Sequence, residues 1–389
     1  MEIKMITRIK NGRLILPDGI TEGISLYIED ETILAVTDKM LGCDREIDAE
    51  GCYVSAGFID MHVHGGGGYD FMDGGTEPIL KAADFHLHHG TTGILPTKLA
   101  CSTEVLTEFL SDLREAKQTC KSILGAHLEG PYFSQEQSGA QNPHYIKPPE
   151  PAEYNMVLEQ SGDLIKRWSF APELDGSEEF CRALIKHKIL PSIGHSNAVL
   201  DDVKRVYALG CRFITHLYSG MSTITRQGGF RRLGVVESAY YFDDMGAEII
   251  ADARHLPPEL LELIIKLKGT ENICLVTDAM RAAGLPDGKS FLGKRGEETP
   301  CIIEDGVAKL EDRSAFAGSV ATADRLVREM VHQAGVSVWE AVKMITANPA
   351  RILGLQGKGS LEEGHDADLV IFDDEIRIKT VIQGGTVAE

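Results

Sequence analysis

The chain has 389 residues, 43% hydrophobic and 25% charged, a globular composition with enough length for a large core. Its 39 Lys and Arg against 59 Asp and Glu leave a formal charge of −20, which argues against nucleic acid and anionic membranes as partners. Eight cysteines stand singly with no CxxC pair, Met1-Glu2-Ile3-Lys4-Met5 carries no signal pattern, and no apolar run reaches membrane-span length, so a soluble, reduced, cytoplasmic protein is expected. In chain order, residues 1 to about 54 hold short strand-like runs separated by Gly and Asp turns: Met5 to Ile9, Arg13 to Leu16, Ser25 to Ile28 and Thr32 to Val36. The last stretch, 351–389, has the same style, with Asp368 to Phe372 and Ile376 to Ile382. One small β-sandwich built from both termini is the economical reading.

Between them, residues 55–350 repeat an apolar strand followed by a helix. The spacing predicts strands over Val54–Asp60, Thr92–Pro96, Ile123–Leu128, Arg167–Ala171, Leu190–Ile193, Phe213–Thr215, Glu248–Ala251 and Ile273–Thr277. It predicts helices over 103–118, 176–188, 198–209, 257–268 and 322–334. Eight such units in about 300 residues fit an α/β protein of the (β/α)8 TIM-like barrel type. An open doubly wound sheet fits less well, because no GxGxxG follows a strand and polar residues end many strands rather than one pair.

Function in a barrel sits at the C-terminal strand ends. The first run ends in His62-Val63-His64, and alternation along a strand turns both imidazoles the same way. Later ends carry His127-Leu128-Glu129, Gly194-His195-Ser196, Thr215-His216-Leu217, Asp252-Ala253-Arg254-His255 and Thr277-Asp278-Ala279. Imidazoles and carboxylates converging from separate strands are ligands for a first-row divalent metal, and an Asp beside them is placed to take a proton from water. Other polar features read more plainly. Gly65 to Gly68 form a flexible loop without a P-loop Lys, His86, His88 and His89 lie at a helix end, Lys98 is not needed as a bridging ligand beside Glu129, and Cys211, Cys274, Trp168 and Trp339 belong to the core.

The wording of these segments resembles the amidohydrolase superfamily and, within it, the N-acetylglucosamine-6-phosphate deacetylases. The phrases are AGFIDMHVHGGGGYDFMD from Ala56, GTTGILPT, GAHLEGPYFS, APE ending at Glu173, GHS around His195, THLYSGM, IADARH, LVTDAMRAAGLPDG, FAGS, NPARILGL and GSLEEGHDADLVIFD. They span nearly the whole chain. The resemblance implies Glu129, His195 and His216 as ligands of a shared metal, with His62 and His64 serving a second, so one or two divalent ions, Zn first and Fe or others allowed. It implies Asp278 as catalytic acid/base, His255 at the substrate carbonyl, and Ala140, Gln141, Ser219, Gly220, Arg231, Phe316, Ala317 and Gly318 as substrate contacts. The expected reaction releases acetate from N-acetylglucosamine 6-phosphate, a small-molecule partner, in a homodimer. This chain departs from the family pattern at Gly139-Ala140-Gln141, where GAH is usual, at Ser219-Gly220, at Arg231-Arg232-Leu233-Gly234 and at Asp252-Ala253. All four lie in substrate loops, so a galacto epimer, an unphosphorylated N-acetyl hexosamine, or a different amidohydrolase reaction such as that of a D-aminoacylase stays open on the sequence.

Overall fold

A computed structural model describes residues 4–294, 296 and 298–388. Met1 to Ile3 and Glu389, at the outer bounds of the two β-rich ends, lie outside the described residues, so the leader reading of the first residues is not addressed by it. Eight parallel strands form the central sheet: β1 (Phe58–Val63), β2 (Thr91–Lys98), β3 (Ala126–Glu129), β4 (Ile165–Phe170), β5 (Leu190–Ile193), β6 (Phe213–Ile214), β7 (Gly246–Ile249) and β8 (Ile273–Leu275). Neighbours in sequence are neighbours in the sheet, as in a (β/α)8 barrel. The seam between β8 and β1 is closed by single bonds. Asp278 N donates to the His62 carbonyl at 2.9 Å and His64 N to the Ala279 carbonyl at 2.8 Å. Lower down, the carbonyls of Met344 and Ile345 accept from Leu275 N and Ile59 N.

The run expected as one strand over Val54–Asp60 is two. Tyr53–Ala56 belongs to a different sheet, and β1 begins at Phe58. Gly57 makes the break: a Cβ there would stand 2.0 Å from Thr92 Oγ1, so the backbone can pass this close to β2 only without a side chain. Tyr53–Ala56 pairs parallel with Arg13–Leu16 and antiparallel with Leu369–Phe372, so the C-terminal strands add to one side of the N-terminal ones in a six-stranded sheet. A four-stranded sheet of Ile6–Lys10, Ser25–Glu29, Thr32–Thr37 and Arg45–Asp48 packs against it around Ile9, Leu14, Leu26, Ile28, Val54, Leu369 and Ile371.

The outer helices fall close to the expected spans, at Thr103–Lys117, Ser177–Lys186, Leu200–Leu209, Pro258–Lys268 and Ala323–His332. In Ser177–Lys186, the buried Phe180, Cys181 and Leu184 form the inward stripe at i, i+1 and i+4. Phe180 meets Tyr132, Tyr154, Trp168 and Phe170 at ring-centroid distances of 4.9 to 5.5 Å. Burying such a ring contributes about 2–3 kcal/mol, and Phe180→Ala is the single change that would most loosen this helix. Trp168, Cys211 and Cys274 are buried as expected, while Trp339 is half-buried and donates to the Leu16 carbonyl. Two features are new relative to the sequence reading. A three-stranded antiparallel sheet (Gly288–Leu292, Thr299–Glu304, Val307–Leu310) stands between β8 and the helix at Ala323. A short exposed hairpin pairs Thr225–Gln227 with Phe230–Arg232. Among the described residues no helix is long and apolar enough to cross a membrane.

Candidate active site

An open cleft of about 800 Å³ lies at the C-terminal end of the barrel, walled by residues that follow β1, β3, β5, β6, β7 and β8. Two groups of donors meet at its floor. Glu129, His195 and His216 form one, and His62, His64 and Asp278 the other, with the ligating atoms of each group within 4.8 Å of one another. Glu129 joins them. Its Oε1 is 3.0 Å from both His195 Nε2 and His216 Nε2, and its Oε2 is 3.3 Å from His64 Nε2.

The ring nitrogens settle whether this donor set fits a cation. His195 Nε2 and His216 Nε2 are 3.2 Å apart, and His62 Nε2 and His64 Nε2 are 3.3 Å apart. Two N–H groups cannot point at each other at that distance, so at least one nitrogen of each pair offers a lone pair. Backbone and carboxylate partners fix two of the tautomers. His195 donates from Nδ1 to the Gln137 carbonyl at 2.8 Å, and His62 from Nδ1 to Glu248 Oε1 at 2.6 Å. In the neutral ring each leaves Nε2 as an acceptor toward the cluster. Imidazole nitrogens and carboxylate oxygens of this kind suit zinc and its first-row neighbours.

Several of these side chains stand on unusual backbone. His195 has φ 45°, His216 25° and Asp278 48°, all left-handed and unfavourable by about 1–3 kcal/mol each for a residue with a Cβ. Local bonds hold them there. Ser134 N donates to the His195 carbonyl, His216 N to Glu248 Oε1, and Ser319 N to the Asp278 carbonyl, each at 2.9 Å. Such turns at strand ends re-aim a side chain into the cleft.

The electrostatics separate the charged roles. Burial would raise the Asp278 carboxyl, but His62 and a hydrogen bond from His64 outweigh it and hold the group below its ordinary range. Asp252 is drawn down in the same way against burial by His255, whose Nδ1 it accepts at 2.9 Å. The His255 ring leans on Phe316 at 4.7 Å.

His64, Glu129, His195, His216, His255 and Asp278 line the cleft together with Ala140, Gln141, Ser219, Gly220, Phe316 and Gly318. His62 lies beneath them, fully buried. Ala317 is buried behind the wall, its N–H donating to the Ala308 carbonyl. Arg231 sits on the exposed hairpin and is not among the lining residues. Gln141 faces the cleft, but its carboxamide is engaged: Nε2 donates to Glu129 Oε2 at 2.8 Å and Oε1 accepts from Ala100 N at 2.9 Å. Lys98 is turned away toward the Phe71 carbonyl and the Phe109 ring. His86, expected at a helix end, is fully buried and bonds the Gly65 carbonyl through Nε2.

Sequence reasoning passed over the barrel floor. Arg167 is fully buried and donates to Glu248, to Ser192 Oγ at 3.0 Å and to Thr215 Oγ1 at 2.9 Å. Asp60 accepts from Thr277 Oγ1 at 2.5 Å across the seam. A charged residue inside an otherwise apolar strand, Glu248 in Gly246–Ile249, was the available signal.

A model of the amidohydrolase family matches residues 53–388. The chain belongs to the amidohydrolase family. This amidohydrolase is 32% identical over 391 residues to an N-acetylglucosamine-6-phosphate deacetylase of Lysinibacillus sphaericus, covering 97% of each chain. It is equally 32% identical to an N-acetylgalactosamine-6-phosphate deacetylase of Escherichia coli O157:H7, over 96% of this chain and 97% of the other. Among solved structures it superposes with a TM-score of 0.89 on a mutant N-acetyl-D-glucosamine-6-phosphate deacetylase from Mycobacterium smegmatis in complex with N-acetyl-D-glucosamine-6-phosphate, at 28% identity over 99% of both chains.

Proposed function

We propose that this amidohydrolase removes the acetyl group of N-acetylglucosamine 6-phosphate, giving glucosamine 6-phosphate and acetate. The observation that carries the reading is the meeting of Asp278, held below its ordinary range, with Glu129 and four imidazoles on one cleft floor, in a chain matched end to end by amino-sugar phosphate deacetylases. Glu129, His195 and His216 would hold one divalent ion, zinc by preference, and His62 and His64 a second. A cation held there would polarise the amide carbonyl and make water more acidic.

The chain's own residues do the rest. Asp278 accepts a proton at its carboxylate from the attacking water and returns it to the departing nitrogen, so a poor leaving group departs as an amine. His255, held by Asp252 through Nδ1, presents its other ring nitrogen to the substrate carbonyl oxygen. Phe316, Ser219 and Gly220 orient the sugar. The described lining holds no Lys or Arg, so we assign the 6-phosphate to the rim, with Arg231 on its exposed hairpin as the anion contact. We further take the protein as a cytoplasmic homodimer, a placement supported by eight cysteines that form no disulfide.

A second reading has its own support. The galacto-specific relative matches at the same identity as the gluco-specific one, so the 4-epimer is a competing substrate. Acetate release measured across N-acetylglucosamine, N-acetylgalactosamine and their 6-phosphates, with an N-acetyl amino acid as control, tests both. Highest kcat/KM on N-acetylglucosamine 6-phosphate is expected. Preference for the galacto compound would transfer the assignment, and release only from the amino acid would overturn it.

A further inference from the structure

We infer that Gln141 is a positioning residue for Glu129, and not a contact for the substrate's phosphate. The inference rests on the proposed metal-dependent hydrolysis and assigns this chain a role where its relatives' sequence pattern carries His. Gln141 is buried, and both ends of its carboxamide are spent. One end accepts from Ala100 N, just past β2. The other donates to Glu129 Oε2, at the end of β3. A carboxamide held at its oxygen by a backbone N–H has only one orientation in which its NH2 can face the carboxylate.

The consequence lies in how Glu129 is shared. Its Oε1 faces His195 and His216 at 3.0 Å each. Its Oε2, the oxygen nearer His64, carries the Gln141 bond. The N–H bond holds the carboxylate plane and leaves Oε1 free for the His195–His216 group. Without it, Glu129 can rotate toward the His62–His64 side. Partners of this kind, one step removed from a ligand, change metal affinity by about 10- to 100-fold. The departure from GAH puts a carboxamide, with donor and acceptor on one planar group, between Ala100 N and Glu129, so the job of the position changes with its side chain.

The test compares Gln141→Met, which keeps volume and loses both polar ends, and Gln141→His with the parent protein. Folding is checked by thermal melting, zinc affinity by competition with a chromogenic chelator, and kinetics on N-acetylglucosamine with and without its 6-phosphate. Gln141→Met is expected to weaken zinc binding by about 10- to 100-fold. It should lower kcat on both substrates by one common factor, measured at saturating zinc, with KM for the phosphorylated substrate within about twofold of the parent. A rise in KM confined to the phosphorylated substrate, with zinc affinity unchanged, would overturn the inference and make Gln141 an anion contact. Unchanged zinc affinity together with unchanged kinetics would overturn it as well. If the parent released no acetate, the deacetylase reading would fall, while the shift in zinc affinity would still decide the role of Gln141.

Discussion

His62 donates from Nδ1 to Glu248 Oε1 at 2.6 Å, and the other oxygen of that carboxylate is bonded by the fully buried Arg167. The relation sets charge as well as tautomer. Burial would raise the Glu248 carboxyl, yet Arg167 and His62 bring it down to about 2, so it stays ionised. Removing either partner leaves an uncompensated charge in the barrel floor. Glu248→Met and Arg167→Met are each expected to destabilise by about 3–5 kcal/mol, and the double variant Arg167→Met/Glu248→Met by clearly less than their sum. Denaturant midpoints of the four proteins check this. Additive losses would mean the pair is not coupled.

Asp278 carries the sharpest chemical prediction. Asp278→Asn keeps the size of the side chain and its backbone bonds but cannot take a proton. Acetate release should fall by at least about 100-fold. The Glu129–His195–His216 group is untouched, so elemental analysis should still find one ion per chain, whereas His195→Ala should lose it. Turnover near that of the parent, with ion content unchanged, would remove Asp278 from the proton-transfer role.

Much of this site was visible in the letters because a barrel sends its chemistry to strand ends. His62-x-His64, Glu129, His195, His216 and Asp278 each close a strand-like run, and the ladder that brings them together needs only sequence order. What lay hidden depends on orientation. Glu248 lies between Ala247 and Ile249 and Arg167 between Lys166 and Trp168, on strands far apart in the chain, and nothing in the sequence says that their side chains meet below His62. Gln141 follows the GAH pattern in position, but its carboxamide turns toward Glu129 because Ala100 N happens to face it. Gly57 looked like one more residue of a continuous strand, and only the approach of Thr92 requires a break there. The sheet at 288–310 turns at Asp305-Gly306 between runs with alternating burial such as Cys301 and Ile303, a hairpin signal that stands outside the repeating βα units.

His86 predicts a stability loss on mild acidification. Burial lowers its pKa from 6.5 to about 4, with the bond to the Gly65 carbonyl only partly opposing. A base whose folded pKa lies below its unfolded value is protonated more readily in the unfolded chain. Its stabilising contribution is therefore complete above pH 6.5 and is lost as pH falls toward about 4. The full shift corresponds to about 3 kcal/mol. The comparison is with His86→Gln, which cannot titrate: the difference in unfolding free energy between the two proteins should change across that window by up to this amount. A pH-independent difference would mean that His86 does not resist protonation in the folded protein.

Arg231 tests the assignment of the phosphate to the rim. The residue lies on an exposed hairpin beside Arg232 and opposite Arg226, a local excess of positive charge on a chain of net charge −20. An exposed cation acts on a bound dianion through screened Coulomb attraction and one or two charge-assisted hydrogen bonds, worth about 1.5–3 kcal/mol together. Arg231→Ala should then raise KM for the 6-phosphate by roughly 10- to 100-fold, with little change in kcat, and leave the unphosphorylated sugar unaffected. Added salt should erode the parent's advantage for the phosphorylated substrate, because exposed charges are screened beyond about 8–10 Å. Equal effects of Arg231→Ala on both sugars would place the phosphate contact elsewhere, and the same pair of assays on Arg226→Ala and Arg232→Ala would then locate it on the hairpin or exclude the hairpin altogether.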